Sequence, residues 1–157
     1  ISAHTQYGDI EYTAKTNKSE LGYSMKYDID WFRIENYNTN EDCYESSRYN
    51  NLIITVSKET GDFDRRVSEI YQQNYNMPNQ PTSSNDIFEY RVTDERLNDK
   101  VSHVVKKHTK TNDIIQQEYY INGKDDNFFM IRLSCPTKFE TDVFPIMEEM
   151  IKTFEIL

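Results

Sequence analysis

The chain is poor in the residues that break or cross-link a fold. Its 157 residues include four glycines, four prolines, two cysteines and one tryptophan. The glycines lie too far apart to form either glycine-rich phosphate-binding motif, GxGxxG or GxxxxGK. Two cysteines are too few for a disulfide scaffold or a cysteine-rich zinc site. Composition therefore predicts one domain over residues 1–157, with residues 1–20 as a loose lead-in and residues 21–157 carrying the fold.

Long apolar runs and an excess of positive charge are also missing. No stretch approaches the ~18–20 apolar residues that cross a membrane as a helix, so we expect no transmembrane segment in this chain. Lysines and arginines number 18 against 27 acidic residues, which gives a net charge of −9. Nucleic-acid binding draws its affinity largely from Lys and Arg contacts with phosphates. We therefore expect no nucleic acid among the partners.

The first residue is Ile1 and not an initiator methionine. Removal of a signal peptide or lipoprotein leader is the commonest origin of such a start. This predicts an exported protein, extracellular or at the cell surface, with any lipid anchor on the removed leader. An arbitrary domain boundary would produce the same start, so a cytoplasmic location stays open.

The last third of the chain has the clearest pattern. Two strand-like runs, Ile114–Ile121 and Phe128–Cys135, flank Asn122-Gly123, a pair that suits positive φ in a hairpin. The second run is apolar at five of its first six positions, which predicts a central strand buried on both faces. An amphipathic helix follows, beginning either at a capping box formed by Thr137 and Glu140 or at Thr141, which would leave Pro145 near the first turn.

Upstream patterns predict further strands and one helix. The helix runs from Asp64, a candidate N-cap, to just before Met77-Pro78. Two loops are expected, at Asn36–Asp42 and at Pro78–Asn85. The other segments read as strands by alternation or by β-branched runs: Asp9–Ala14, Gly22–Tyr27, Trp31–Ile34, Asn51–Ser57, Ile87–Leu97 and Val101–Thr109. Together these elements predict an α+β fold with the C-terminal helix packed on a sheet.

Recognisable catalytic constellations are absent from the sequence. There is no HExxH, CxxC or GxSxG pattern, and His103 and His108, five apart in a predicted strand, should point to opposite faces. We expect no catalytic residue, no cofactor and no metal site, hence no enzyme. A thiol-dependent activity of Cys135 is the weaker alternative. Whether Cys43 and Cys135 are bridged or free is left open.

Aromatic residues are abundant, with twelve tyrosines and eight phenylalanines. Tyrosine is favoured at interfaces because it offers a large area and a hydrogen bond for few lost rotamers. The candidate interface residues are Tyr44, Tyr49, Tyr71, Tyr75 and Tyr90, and a tyrosine-rich rim of the core is the alternative interpretation. A candidate apolar pocket between the sheet and the C-terminal helix is lined by Phe129, Phe139, Met147 and Met150.

Two stretches carry a resemblance to a known family. Gly22–Trp31 (GYSMKYDIDW) resembles the opening of PsbP-like domains, named after an extrinsic photosystem II subunit. Tyr119–Ile131 and Phe144–Phe154 resemble the closing hairpin and helix of that family. The match covers roughly residues 22–156 and rests on hydrophobic positions, and Asp28 stands where the family usually has proline.

The resemblance implies an α/β/α sandwich with a central, mainly antiparallel sheet, one mid-chain helix and a C-terminal helix packed on the sheet. It also implies a non-enzymatic binding or assembly role, and bacterial relatives are often exported lipoproteins. With the acidic charge and the tyrosine surplus, the leading hypothesis is an exported accessory module that binds a protein or cell-surface partner. The alternative is a small-ligand carrier with the apolar pocket.

Overall fold

The structure is a computed structural model that describes residues 2–5, 8–76 and 87–157. Within these ranges the chain forms twelve strands, two α-helices and a short 3-10 turn at Thr137–Phe139. In chain order the elements are β1 (Ser2–Thr5), β2 (Gly8–Glu11), β3 (Ala14–Lys18), β4 (Tyr23–Asp28), β5 (Phe32–Asn38), β6 (Glu41–Ser46), β7 (Ile53–Thr60), α1 (Phe63–Asn76), β8 (Ile87–Glu95), β9 (Val104–Thr111), β10 (Ile114–Asn122), β11 (Asn127–Pro136), α2 (Phe144–Lys152) and β12 (Glu155–Ile156).

A seven-stranded antiparallel sheet forms the centre of the fold. Its strand order is β5-β6-β7-β11-β10-β9-β8, so β11 is the middle strand, paired with β7 on one side and β10 on the other. The prediction of a central strand at Phe128–Cys135 is thus confirmed. The side chains of β11 alternate between the two faces, and both faces are covered.

The two faces of the sheet carry different layers. On one face α1 places Phe63 and Ile70 against Val105, Tyr120 and Phe128. On the other face lie α2 and a three-stranded sheet of order β12-β4-β3, over the larger core. The predicted α+β class and the layered arrangement of helices on a central antiparallel sheet are confirmed, while the small second sheet was not predicted.

Three aromatic rings meet where the small sheet packs on the large one. The ring of Phe129, on β11, lies 5.4 Å from that of Phe154, just after α2, and 5.9 Å from that of Tyr23, on β4. Tyr23 and Phe154 stack with centroids 5.2 Å apart. Aromatic pairs in such geometries add roughly 0.5–1.5 kcal/mol beyond the burial of their area, so this cluster joins the two sheets and α2.

The predicted hairpin at Asn122-Gly123 is present, but its turn works differently from the prediction. Positive φ occurs at Asp125 (56°) and Asp126 (57°), not at the Asn-Gly pair. Glycine is required at 123 for space, because a Cβ there would lie 2.6 Å from the carbonyl oxygen of Asn127. The longer acidic turn therefore takes the left-handed conformations, and Gly123 allows the close approach of the two strands.

The prediction of a loop at Asn36–Asp42 was wrong. β5 continues to Asn38 and β6 begins at Glu41, so the connection is a tight hairpin. The side-chain oxygen of Asn38 accepts a hydrogen bond from the backbone N–H of Asn40 at 3.0 Å. Asn38 thus supplies the turn chemistry, while sheet pairing holds the rest of the segment extended.

The helix starts also differ from the predictions. Asp62, and not Asp64, caps α1, since its Oδ1 accepts the backbone N–H of Asp64 at 3.0 Å. The capping-box start at Thr137 was wrong, because residues 137–139 form only the 3-10 turn, and α2 begins at Phe144 with proline in its first turn. The later predicted start, Thr141, lies two residues before the observed N-cap, Val143, and its expectation of proline near the first turn is confirmed.

The predicted loose lead-in is ordered over much of its length. β3 pairs with β4 along its whole length and Tyr12 is buried.

The predicted loop Pro78–Asn85 lies outside the described residues. None of the helices described is long and apolar enough to cross a membrane.

The two cysteines are not bridged to each other and lie buried on separate strands, Cys43 on β6 and Cys135 on β11. Burial, with a smaller contribution from the nearby Glu140 carboxylate, raises the pKa of the Cys135 thiol to about 12. A reactive cysteine needs a lowered pKa, so the environment of Cys135 opposes the thiol-dependent alternative.

Candidate functional site

The candidate interface tyrosines do not share one surface. Tyr44 and Tyr90 are 0% and 4% exposed, so their inclusion in an interface was wrong; the pleat of β6 and β8 turns both rings inwards. Tyr71 and Tyr49 are exposed, but Tyr71 lies on α1 and Tyr49 in the loop between β6 and β7. The side chain of Tyr75 is outside what the structure describes. Tyr49 is therefore the starting point for a binding surface.

The rings of Trp31, Tyr49 and Phe139, which lie on three separate connections, meet at one place. Together with Arg48 and Lys138 we call these residues the aromatic patch. The ring centroids of Tyr49 and Phe139 are 4.7 Å apart, and Trp31 lies 6.1 Å from Tyr49 and 6.2 Å from Phe139. Tyr49 is 41% exposed, and the other two rings are partly buried. The patch includes the single tryptophan of the chain.

Local hydrogen bonds fix the connections that carry these rings. Ahead of Trp31, the backbone N–H of Asp30 donates to Asp28 Oδ1 at 2.9 Å. In the loop after β6, Ser46 Oγ accepts the backbone N–H groups of Arg48 and Tyr49, each at 3.1 Å.

The 3-10 turn that carries Phe139 is also anchored. Thr137 Oγ1 donates to the carbonyl oxygen of Asn112 at 2.6 Å, and the Thr137 N–H donates to that of Asp113 at 3.0 Å. The patch is therefore assembled on short, tethered connections, which lowers the entropy that binding must remove.

Two cations lie over the rings of the patch. The guanidinium carbon of Arg48 is 5.4 Å from the centroid of Trp31, and Lys138 Nζ is 5.6 Å and 5.2 Å from those of Tyr49 and Phe139. Exposed contacts of this kind contribute about 0.5–1 kcal/mol each. Sequence reasoning missed both cations and Trp31 as a site, although Arg48-Tyr49 in a polar loop was an available signal.

Arg48 differs from the other arginines in that no carboxylate of a described residue pairs with it. Six arginines pair with a carboxylate of the chain: Arg33, Arg65, Arg66, Arg91, Arg96 and Arg132. Within the described part of the chain, neither Arg48 nor Lys138 forms such an ion pair. In a protein of net charge −9, the patch therefore presents two cations whose charge is not matched by a neighbouring carboxylate.

The candidate apolar pocket is not formed. Phe129, Met147 and Met150 are buried in the main core, while Phe139 is partly buried, packs against that core and belongs to the aromatic patch. The four residues therefore do not enclose a common space. The prediction failed because a Met- and Phe-rich helix face has the same sequence pattern whether it lines a void or packs against a sheet.

The cleft that does lie between the sheet and α2 is small and charged. It measures about 240 Å³, and its wall bears cations from β8 and β9 and carboxylates from β8 and from the α2 region. Most of these charges are already paired, with Lys110 Nζ 2.7 Å from Glu140 Oε2 and Arg91 Nη1 2.8 Å from Glu89 Oε2. The charged groups of the cleft are therefore mostly engaged with one another.

His108 is buried in the floor of this cleft. Its Nε2 lies 3.0 Å from Glu89 Oε2 and its Nδ1 lies 2.7 Å from Gln117 Oε1. His103 instead packs its ring on Phe63, on the α1 side of the sheet, so the prediction of opposite faces is confirmed. Burial lowers the pKa of His108, with Arg91 adding to this, and outweighs the opposing contacts with Gln117 and Glu89.

This lowered pKa predicts a loss of stability in mild acid. As the pH falls, a histidine in the unfolded chain binds its proton near pH 6.5, whereas folded His108 binds it only at lower pH. The contribution of His108 to the free energy of unfolding should therefore be fully present above about pH 6.5 and be lost as the pH drops below it. Urea unfolding of the wild type and of His108→Asn between pH 7.5 and 5 measures this contribution.

The variant should show a weaker pH dependence than the wild type over that range. Burial raises the pKa of Glu148, which makes the free energy of unfolding increase as the pH falls. This effect is present in both proteins, so it cancels when their pH curves are compared. Parallel curves for the two proteins would contradict the prediction.

Comparison with solved structures supports the fold. The chain matches, over 91% of its length and 48% of the other chain, a protein from Bacteroides thetaiotaomicron VPI-5482, with a TM-score of 0.51 and 13% sequence identity. The chain thus spans about half the length of that protein. No family model matches this chain, and no curated protein does. The PsbP-like resemblance stays a prediction.

Proposed function

We propose that this chain is a non-enzymatic binding module that docks an acidic protein partner through the aromatic patch. The observation that carries the proposal is the meeting of Trp31, Tyr49 and Arg48 on one surface, where Arg48 forms no ion pair with any described residue. Tryptophan, tyrosine and arginine are the residue types most enriched among interface residues whose truncation weakens binding strongly. Export and PsbP-like membership remain part of the proposal as predictions.

The charges of the patch favour an acidic partner. Arg48 and Lys138 already lie over the rings, so a partner carboxylate would meet a cation next to an apolar surface. Such a pair is partly removed from water when the interface closes, and hydrogen bonds to charged groups are the stronger ones. Phe139 is tilted from the other two rings, with interplanar angles of 55° to Tyr49 and 67° to Trp31, whereas Trp31 and Tyr49 are stacked at 25°. This uneven surface suits side chains of a protein better than the flat face of a sugar ring.

The test is selection from a random peptide library on the immobilised chain, followed by affinity measurements. Enriched peptides should combine Asp or Glu with an aromatic or aliphatic residue. Their binding should change the fluorescence of Trp31, which is the single tryptophan and lies in the patch. Affinity should fall as salt is added, since exposed charges are screened.

Tyr49→Ala should weaken the selected peptides by roughly 30-fold, equivalent to the ~2 kcal/mol that marks a dominant interface residue. Arg48→Gln should weaken them as well and remove most of the salt dependence. Tyr71→Ala, which truncates an exposed tyrosine on α1, is the matched control and should leave affinity unchanged. Peptides that bind wild type and both patch variants equally would refute the proposal.

A further inference from the structure

A separate cleft opens between the β3–β4 turn and the β5–β6 hairpin, and we call it the Asp42 cleft. It measures about 460 Å³, within the range of small-molecule sites. Its lining combines polar and apolar side chains: Asn17, Lys18, Ser19, Glu20 and Leu21 on one side, and Ile34, Asn38, Thr39 and Asp42 on the other. None of these residues belongs to the aromatic patch, so the cleft is independent of the proposed protein-binding surface.

Asp42 is a buried carboxylate without a cationic partner. Its side chain lies on β6 and the residue is 7% exposed, and among the described residues no lysine, arginine or histidine pairs with it. The hydroxyl of Tyr23 donates to Asp42 Oδ2 at 2.7 Å, and the hydroxyl of Ser19 donates to the same oxygen. A buried carboxylate needs compensating donors, and here neutral hydroxyl groups supply them.

These donors belong to a chain of hydrogen bonds with one direction. Because the single proton of Tyr23 goes to Asp42, Tyr44 must donate to Tyr23 across their 2.9 Å contact. Tyr44 in turn accepts from Asn17 Nδ2 at 3.0 Å. Burial raises the pKa of Tyr44 to about 12 and that of Tyr23 further still, so both phenols keep their protons. Every N–H and O–H group in this series of hydrogen bonds therefore points towards Asp42 Oδ2.

The second oxygen of Asp42 is left for the cleft. Both hydroxyl donors reach Oδ2, and Asp42 lines the cleft, so Oδ1 is an acceptor held in place and available to a ligand. Asn17 likewise uses its Nδ2 on Tyr44, which leaves its amide oxygen as a further acceptor. The groups held in place at the floor of the cleft are therefore hydrogen-bond acceptors, so they suit a ligand that donates several hydrogen bonds.

We propose that the Asp42 cleft binds a neutral saccharide of one or two rings, whose hydroxyls donate to Asp42 and Asn17. The rim carries one lysine and one glutamate, Lys18 and Glu20, which favours a ligand without net charge. Leu21 and Ile34 provide an apolar wall for the C–H face of a sugar ring. A metal ion fits less well, because no group of three or more His, Cys, Asp or Glu side chains within the described ranges is placed to hold one.

The test uses a panel of neutral monosaccharides and disaccharides added to the isotope-labelled chain, with backbone amide chemical shifts as the readout. A binding sugar should shift amides of residues 17–21 and 38–42 and leave those of residues 48–49 and 138–139 unchanged. Asp42→Asn keeps the size of the side chain and removes its charge, and it should weaken the sugar at least about tenfold, as loss of a hydrogen bond to a charged group does. Asp64→Asn, which makes the same chemical change at an exposed position on α1 outside the cleft, is the control and should bind as the wild type does.

A second variant protects the test against misfolding of Asp42→Asn. Thr39→Val changes an exposed cleft residue outside the hydroxyl chain, and it should also weaken the sugar. The proposal is overturned if no sugar shifts the cleft amides, if methylammonium or Ca²⁺ shifts them instead, or if sugar affinity is the same in both variants as in the wild type. Shifts at the aromatic patch alone would likewise overturn it while leaving the proposed protein binding intact.

Discussion

Phe129→Ala should lower the free energy of unfolding by about 3–5 kcal/mol, the usual range for truncating a buried phenylalanine. Phe129 is 2% exposed and lies on the central strand β11. Its ring contacts Tyr23 and Phe154, so the truncation removes two aromatic pairs and leaves a cavity between the two sheets. Urea unfolding followed by circular dichroism measures the change, with the midpoint shifting and the slope staying nearly constant.

Phe88→Ala is the matched control for this prediction. It makes the same chemical change on β8, where Phe88 is 44% exposed, and should cost less than about 1 kcal/mol. If Phe129→Ala proved equally cheap, the side chain would already border an empty space. That result would revive the apolar pocket between the sheet and the C-terminal helix, which the packed core contradicts.

Local patterns carried enough information to predict most of the sheet. β10 and β11 could be placed because a run of apolar residues, a turn pair and a second run occur within about 25 residues of one another, and their pairing needs no other part of the chain. α1 could be placed because helical spacing and a terminal proline mark a helix by themselves. These elements are determined by residues that are neighbours in sequence.

The remaining features depend on contacts between distant segments. The strand β12, two residues long, exists only because Glu155 and Ile156 reach β4, more than 120 residues earlier. The aromatic patch unites residues 31, 49 and 139, and the hydroxyl chain unites residues 17, 23, 42 and 44. In the sequence, Tyr44 and Tyr49 both have polar neighbours, but the pleat of β6 turns Tyr44 into the core, whereas Tyr49 lies in the loop after β6 and is exposed.

Tyr23→Phe should cost about 2–3 kcal/mol although it removes a single oxygen atom. The change deprives Asp42 Oδ2 of one donor and leaves the proton of Tyr44 without its acceptor. Both groups are buried, and a buried polar group that loses its partner costs about 1–3 kcal/mol, more when it is charged. The ring stays in place against Phe154, so packing changes little. Urea unfolding again gives the measurement, and Tyr71→Phe on the exposed side of α1 should change stability by no more than about 0.5 kcal/mol.

A double-mutant cycle with Asp42→Asn tests whether the hydroxyl chain acts through the carboxylate. An asparagine oxygen still accepts from Tyr23, but without a charge, so Tyr23→Phe should cost less in that background, with a coupling of about 1 kcal/mol. Equal costs in both backgrounds would show that water and not Asp42 satisfies the Tyr23 hydroxyl. Asp42 would then be an ordinary polar residue at the edge of a cleft. A measurable coupling would instead show that the hydroxyl of Tyr23, at the interface of the two sheets, holds the Asp42 carboxylate. The carboxylate would then present Oδ1 in a fixed orientation, which is what the saccharide proposal requires.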